Sequence, residues 1–300
     1  MITQIYEIQT PSEAEECIAL GVDRIGSVLL SEDMWRQPAI RDVIRLSNGT
    51  ATQNTLIPLF AGDDLYRALD YYRPHFVHFC ENLTDRRSRE IRLEGFLQAQ
   101  SDLKNRFSQI DIVRSIPIPR EDVSPEFPFL KIARTLEPLS DNFLIDTWIG
   151  EEPVEGFVGI TGKPCDWERS RELVQQSDIP VILAGGLSPE NVYEALLKVL
   201  PAGVDSCTQT NATDDHGRTI RFKKDFKKVS RFVDETRRAE KTILLKRQAL
   251  TEKLATLREE LREREAALPA HSIRPHQLLA IEDLEDDISS VEKEIEALKK

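Results

Sequence analysis

Through the first 235 or so residues, short apolar runs alternate with amphipathic stretches. Eight runs read as strands, at residues 2–8, 24–29, 55–60, 76–80, 110–116, 143–146, 181–184 and 203–207. Most are rich in Ile, Val and Phe without clear alternation, as strands covered on both faces of a parallel sheet are. Between them, helical spacing runs over residues 12–20, 64–72, 86–107 and 189–199. Thr10-Pro11 and Ser188-Pro189 each place a capping hydroxyl before a first-turn proline. Repeated β-α units joined by right-handed crossovers give a parallel sheet. Eight strands in this length predict a closed (β/α)8 TIM barrel in the α/β class. The alternative is an open doubly wound sheet, which carries a glycine fingerprint after its first strand. Here Ile8-Gln9-Thr10-Pro11 follows that strand, without glycine.

The pattern changes at about Thr236, after which glycine and aromatic residues cease. Leu250, Leu254, Leu257 and Leu261 step by 4, 3 and 4, and Ile281, Leu284, Ile288, Val291, Ile295 and Leu298 continue the heptad spacing in a second run. Pro269 and Pro275 lie between the runs, where they stop one helix and start the next. The expected organisation is a barrel over residues 1–235 and an antiparallel, coiled-coil-like α-helical hairpin over 236–300. Residues 237–268 carry 9 basic and 6 acidic side chains, whereas 275–300 carry 3 and 8, so the two arms attract. The hairpin is either a solvated element with one seam or a surface for a homo-oligomer or protein partner, because a two-helix seam buries little by itself.

Composition narrows the function classes. The chain has 300 residues, 40% of them hydrophobic, which suffices for a full core. Its net charge of −12 disfavours a nucleic-acid surface, which needs a basic face. Apolar runs are too short for a membrane span, and MITQIYEIQT has no basic segment leading into an apolar one, so a cytoplasmic protein is expected. Cys17, Cys80, Cys165 and Cys207 form no C-x-x-C pair, which fits reduced thiols and no zinc ribbon. Asp214, Asp215 and His216 have side chains that bind metals, but a charge run in a loop is read as solvated, and no metal or other cofactor is expected.

In a barrel, chemistry gathers at the C-terminal strand ends. Two late turns stand out: Val158-Gly-Ile-Thr161-Gly162-Lys-Pro-Cys-Asp-Trp167 and Ala184-Gly185-Gly186-Leu187-Ser188-Pro189. Glycines before a helix let backbone N–H groups approach an anion, so Gly162, Gly185 and Gly186 are candidates for a phosphate cradle. The plainer reading is that they are tight βα turns only.

These segments resemble the phosphoribosylanthranilate isomerase family. The likeness rests on Gly159-Ile-Thr-Gly162-Lys-Pro-Cys-Asp166-Trp167 and Ala184-Gly-Gly-Leu-Ser-Pro-Glu-Asn-Val192, followed by Gly203-Val204-Asp205 and Lys224-Asp225. It runs from residue 1 to about 235, strongest from Phe143 on, and leaves the helical hairpin outside. The resemblance implies a phosphorylated sugar-type ligand, no cofactor, and an Amadori rearrangement of a phosphoribosyl amine, a step of tryptophan biosynthesis. It places the ring-protonating acid at Asp146 and the phosphate at Thr161, Gly162, Gly185, Gly186, Cys207 and Thr208.

The chain departs from the family at the base. The family's catalytic cysteine falls at Tyr6, and a phenol is mostly protonated near neutrality. Glu7 next to it is the other candidate base, although strand alternation turns it away from the side Tyr6 faces. Cys80 and Cys207 are further strand-end thiols, and His78 reads as a packed residue. The family's substrate arginine after the second strand has Arg36 as its nearest counterpart, one position late. Two functions follow: an isomerase-like enzyme diverged from the parent activity, or a non-catalytic phosphosugar-binding or scaffold relative acting through residues 236–300.

Overall fold

The computed structural model describes residues 1–83, 93–120, 127–150, 152–269 and 274–298. Strands β1 (Ile2–Tyr6), β2 (Arg24–Leu29), β3 (Gln53–Pro58), β4 (Phe76–Phe79), β5 (Asp111–Pro119), β6 (Asn142–Trp148), β7 (Val181–Leu183) and β8 (Gly203–Ser206) form a closed parallel barrel in sequence order. Closure is made by Ile2–Ile5 of β1 pairing with Gly203–Ser206 of β8. Each of the eight expected strands is present, and the open-sheet alternative is excluded. Outside them lie α1 (Pro11–Ala19), α2 (Pro38–Asn48), α3 (Asp63–Tyr72), α4 (Glu94–Arg106), α5 (Phe129–Leu136), α6 (Trp167–Gln176) and α7 (Val192–Val199). The first part of the helix expected over 86–107 falls outside the described residues.

Caps follow side-chain chemistry. Thr10 Oγ1 accepts the Glu13 N–H ahead of α1, and Asp166 Oδ1 accepts the Glu168 and Arg169 N–H groups ahead of α6. The start of α7 differs from expectation. Ser188-Pro189-Glu190 forms a turn, with the Ser188 N–H on Asn191 Oδ1 at 2.8 Å, and the helix begins only at Val192. The hydroxyl of Ser188 accepts the Glu190 N–H within that turn, so it closes the turn and caps no helix.

Alternation sorts each barrel strand into an inward and an outward set. Tyr6, Val28, Ile57, Phe76, Val113, Leu144 and Ile182 fill the interior. Outward residues such as Leu29, Leu56, Val77 and Ile112 pack beneath α2, α3 and α4. Gly26 is a space requirement, because a Cβ there would run into the Tyr6 ring.

One element was not expected. After β8, the chain makes a hairpin of β9 (Asn211–Thr213) and β10 (Thr219–Lys224), a segment read from sequence as a loop. Asp214 shapes its turn by accepting the His216 and Arg218 N–H groups and the Arg218 guanidinium. Among the described residues, no group of three potential ligand side chains is set to hold a metal.

The chain divides into two compact units, Met1–Arg237 and Arg238–Lys300, with the boundary inside α8 (Phe226–Ala266). In the first unit, Val229 and Phe232 of α8 are fully buried. In the second, α9 (Pro275–Ala297) buries Leu284, Val291 and Ile295, three of the heptad positions, and Arg258 of α8 pairs with Glu292 at 2.6 Å. Among the described residues, no helix is long and apolar enough to cross a membrane.

Candidate active site

The β6, β7 and β8 ends bring the glycine turns together. Thr161, Gly162, Gly185, Gly186, Cys207 and Thr208 line one cavity, with Asp146 and Asp205 at its edge. Both turn glycines after β7 have positive φ, +78° at Gly185 and +60° at Gly186. A Cβ on Gly186 would lie 2.5 Å from the Lys163 carbonyl carbon, and one on Gly185 would overlap the Thr147 hydroxyl. The glycines therefore serve packing as well as any ligand. Among the described residues, the Gly185 and Gly186 N–H groups donate to no backbone acceptor. Unmatched amides in a concave turn form a cradle for an anion. The cradle's other wall is fixed by Thr147 Oγ1 donating to Lys163 O (2.6 Å) and Gln209 Nε2 donating to Gly162 O (2.8 Å).

A second, apolar cavity adjoins the first and shares Asp146, Ile160, Asp205 and Cys207 with it. Val28, Ile57, Leu59, Leu144, Phe157 and Val158 form its walls. Asp146 sits against Gly159, whose φ of +102° and missing Cβ leave room for the carboxyl group. Its Oδ1 accepts the Thr147 N–H at 2.8 Å, and burial outweighs that bond, pushing the group up to about 6. Asp205 is fully enclosed, accepts Gln4 Nε2 at 3.1 Å, and is pushed by burial up to about 8. Near neutrality one carboxyl is mainly ionised and its neighbour mainly protonated, the pairing that acid–base chemistry requires.

The remaining candidates behave differently. The Tyr6 ring stands inside the barrel over Gly26, with its centroid 5.4 Å from that of His78. Its hydroxyl has no partner among the described residues, and burial holds the phenol well above its ordinary value. Tyr6 is thus a wall of the apolar cavity, with its phenol held in the protonated form by burial.

The orientation of Glu7 also differs from the strand expectation. It has left strand geometry, at φ 63°, so alternation no longer governs where it points. Its carboxylate accepts Arg221 Nε and Nη2 (2.9 and 2.7 Å), Asn211 Nδ2 (2.8 Å) and the Phe222 N–H. These bonds hold it below the ordinary carboxylate range despite burial, so it anchors the β9–β10 hairpin and makes a poor base.

His78 is pushed by burial down to about 3 and is tied to Ser115 Oγ at 2.8 Å, so it stays neutral. Burial raises the Cys80 and Cys207 thiols, so neither supplies a thiolate. Arg36 stacks on the Trp35 and Tyr71 rings and lines neither cavity.

Sequence reasoning missed Asp205 and Arg221. The signal for Asp205 was present: a carboxylate in an apolar strand, two positions before Cys207 and so on the same face. Arg221 had no local signal, since its partner Glu7 lies 214 positions away.

Fold and site define a (β/α)8 barrel whose β6–β8 end places a glycine-lined cavity beside two buried carboxyls, both raised by burial. A family profile described as N-(5'phosphoribosyl)anthranilate (PRA) isomerase matches residues 101–235. Over that stretch the barrel is similar to the phosphoribosylanthranilate isomerase family. Over 133 residues it is 33% identical to the N-(5'-phosphoribosyl)anthranilate isomerase of Methanosarcina acetivorans, covering 43% of this chain and 52% of that protein. The Haloferax volcanii enzyme is 47% identical over 81 residues, 27% of this chain and 34% of that protein. The chain thus aligns with about half or less of these curated relatives. The solved Pyrococcus furiosus isomerase superposes with a TM-score of 0.55 at 23% identity, over 79% of this chain and 99% of that one. An isomerase in complex with reduced 1-(o-carboxyphenylamino)-1-deoxyribulose 5-phosphate superposes at 0.54 with 18% identity, over the same shares. At these identities the structural likeness is one of fold.

Proposed function

We propose that the barrel is a phosphoribosylanthranilate isomerase-like protein that performs an Amadori-type aldose–ketose isomerisation on a phosphoribosyl amine in the cytosol. The observation that carries this reading is the convergence of Gly162, Gly185 and Gly186 on one cavity beside Asp146. The ligand phosphate sits on the cradle amides, and the sugar lies across Asp146 toward the apolar cavity. Asp146, raised to about 6, protonates the ring oxygen as the C1′–O bond breaks and the imine forms. A base must then take the C2′ proton. No thiolate is available, so this step falls to the Asp146 carboxylate left by the first transfer, while Asp205 donates a hydrogen bond to the sugar. One group in two roles is slower than two groups, by a factor of about 10² to 10⁴.

The second reading is a phosphosugar-binding relative without turnover. It is favoured by the Tyr6 ring, which takes the place of the family's thiol and leaves no separate base. In either case we assign residues 236–300 to oligomerisation or partner binding, because the two arms are oppositely charged and heptad-patterned.

Calorimetric titration with the reduced ketose phosphate tests both readings. Thr208→Asp is the better control than a change at Gly186, because it puts a negative charge in the cradle without a Cβ against backbone. Binding lost in Thr208→Asp, and turnover of phosphoribosylanthranilate lost in Asp146→Ala, is the result expected of the isomerase. Binding without turnover favours the second reading. No binding at millimolar ligand removes both.

A further inference from the structure

We propose that the second unit, Arg238–Lys300, pairs with the same unit of a second copy of this chain, a basic leucine patch on α8 of each copy seating against an acidic leucine patch on α9 of the other. This rests on the assignment of residues 236–300 to assembly and commits it to one occupant.

The two helices carry the same local pattern. Leu244-Leu245 precedes Leu250 of the α8 seam by six and five residues, and Leu278-Leu279 precedes Leu284 of the α9 seam by the same steps. At about 100° per residue, these offsets set each leucine pair roughly 120° to 140° round its helix from the seam, one leucine to either side. The pairs therefore stand on faces turned away from the other arm. Exposure agrees: Leu244, Leu245, Leu278 and Leu279 are 62, 55, 46 and 57% exposed, against 7% for Leu284 in the seam. Outside this unit, the exposed large apolar side chains among the described residues are Leu30 and Met34 alone, so such surface concentrates on the two arms.

Charge decides which patch meets which. Over residues 241–253, Lys241, Lys246, Arg247 and Lys253 outnumber Glu252, a net +3. Over residues 275–287 there are Glu282, Asp283, Glu285, Asp286 and Asp287 and no Lys or Arg, a net −5. Like patches repel and unlike patches attract. The pairing of Arg258 with Glu292 between the arms uses neither cluster, so both keep their charge for another molecule. Each chain holds one patch of each sign. A two-fold axis then lays each basic patch on the acidic patch of the other copy, and the pair closes with two identical contacts that cover the leucines of both copies.

Analytical ultracentrifugation of the full chain tests this. The expected result is twice the monomer mass at about 100 μM, with weaker pairing as salt rises from about 50 to 500 mM. Leu244→Gln with Leu245→Gln removes two leucines from each contact and should weaken the dimer at least about 100-fold. Both side chains are exposed, so circular dichroism should show the helices intact. A chain with Lys241→Glu, Lys246→Glu and Arg247→Glu, and another with Glu282→Lys, Asp283→Lys and Asp286→Lys, should each be monomeric alone. Mixed, they should form a dimer, because both contacts then join opposite charges. A monomeric wild type overturns the proposal, leaves these faces to a different partner, and does not touch the ligand reading, which calorimetry tests separately. A dimer that keeps its strength in the leucine variant overturns it and removes the assembly role of residues 236–300 as well. Pairing that tightens with salt overturns the charge matching, and open-ended association overturns the two-fold closure.

Discussion

Replacing Asp205 by asparagine should abolish most of the pH dependence of the barrel's stability on the alkaline side of pH 5. Asp205 lies inside the barrel with 4% of its surface exposed, and its Oδ1 accepts one bond from Gln4. Asparagine keeps that acceptor and cannot ionise. The folded-state pKa is raised from an ordinary 3.8 to about 8, so below pH 4 the carboxyl is protonated in both states and has no linkage effect. Between pH 4 and 8 the unfolded chain has released the proton and the folded chain still holds it. Stability therefore falls as pH rises, and levels off above the folded pKa. At about 1.4 kcal/mol per unit, the three units from pH 5 to 8 amount to a loss of about 4 kcal/mol. Asp146, raised to about 6, adds a smaller fall at lower pH in both proteins and largely cancels in the comparison. The assay is urea unfolding followed by tryptophan fluorescence at several pH values. Trp35, Trp148 and Trp167 all lie in the barrel unit, so the signal reports that unit alone. The asparagine variant should match the wild type below about pH 4 and exceed it by about 5 kcal/mol at pH 8, about 4 of it gained above pH 5. Parallel curves across the range would refute the claim that Asp205 stays protonated in the folded barrel.

Further outcomes follow from the same geometry. Glu7→Ala leaves Arg221 and Asn211 without their acceptor; we expect a loss of about 2 to 3 kcal/mol, less than for a fully buried pair because Arg221 is partly exposed, with faster amide exchange across residues 211–224. Tyr6→Cys removes the ring that packs over Gly26, so unfolding should show a cost of about 3 to 5 kcal/mol, and a kinetic assay should show turnover rising at least about tenfold if a second proton-transfer group is what the cavity lacks. Gly186→Ala forces a Cβ into the Lys163–Pro164 backbone and should sharply lower the yield of folded protein on size exclusion, where Thr208→Asp should not. Leu284→Asp buries a charge in the seam of the second unit; circular dichroism should lose helix signal while the tryptophan unfolding midpoint stays put.

The sequence by itself determined the barrel, because strands covered on both faces must be continuously apolar, and runs such as 143–146 and 181–184 carry that requirement in the chain. The helical arms after residue 236 were legible for the same kind of reason, a heptad seam repeated along one element. The glycine turns were legible too, because few residues other than glycine take positive φ where backbones approach closely, as at Gly186. Tertiary structure decided everything that depends on who meets whom. Glu7 changed from candidate base to anchor because closure of β1 on β8 brings it to Arg221, 214 positions on. Asp205 became part of the site because the interior of a closed barrel removes water from it, and that burial is the largest cause of its raised pKa, with Asp146 and Glu7 adding to it. Tyr6 became a wall because β2 has glycine where its ring must go. Local patterns record which elements form. The electrostatic character of a residue is set by its distant neighbours and by the water that folding takes away.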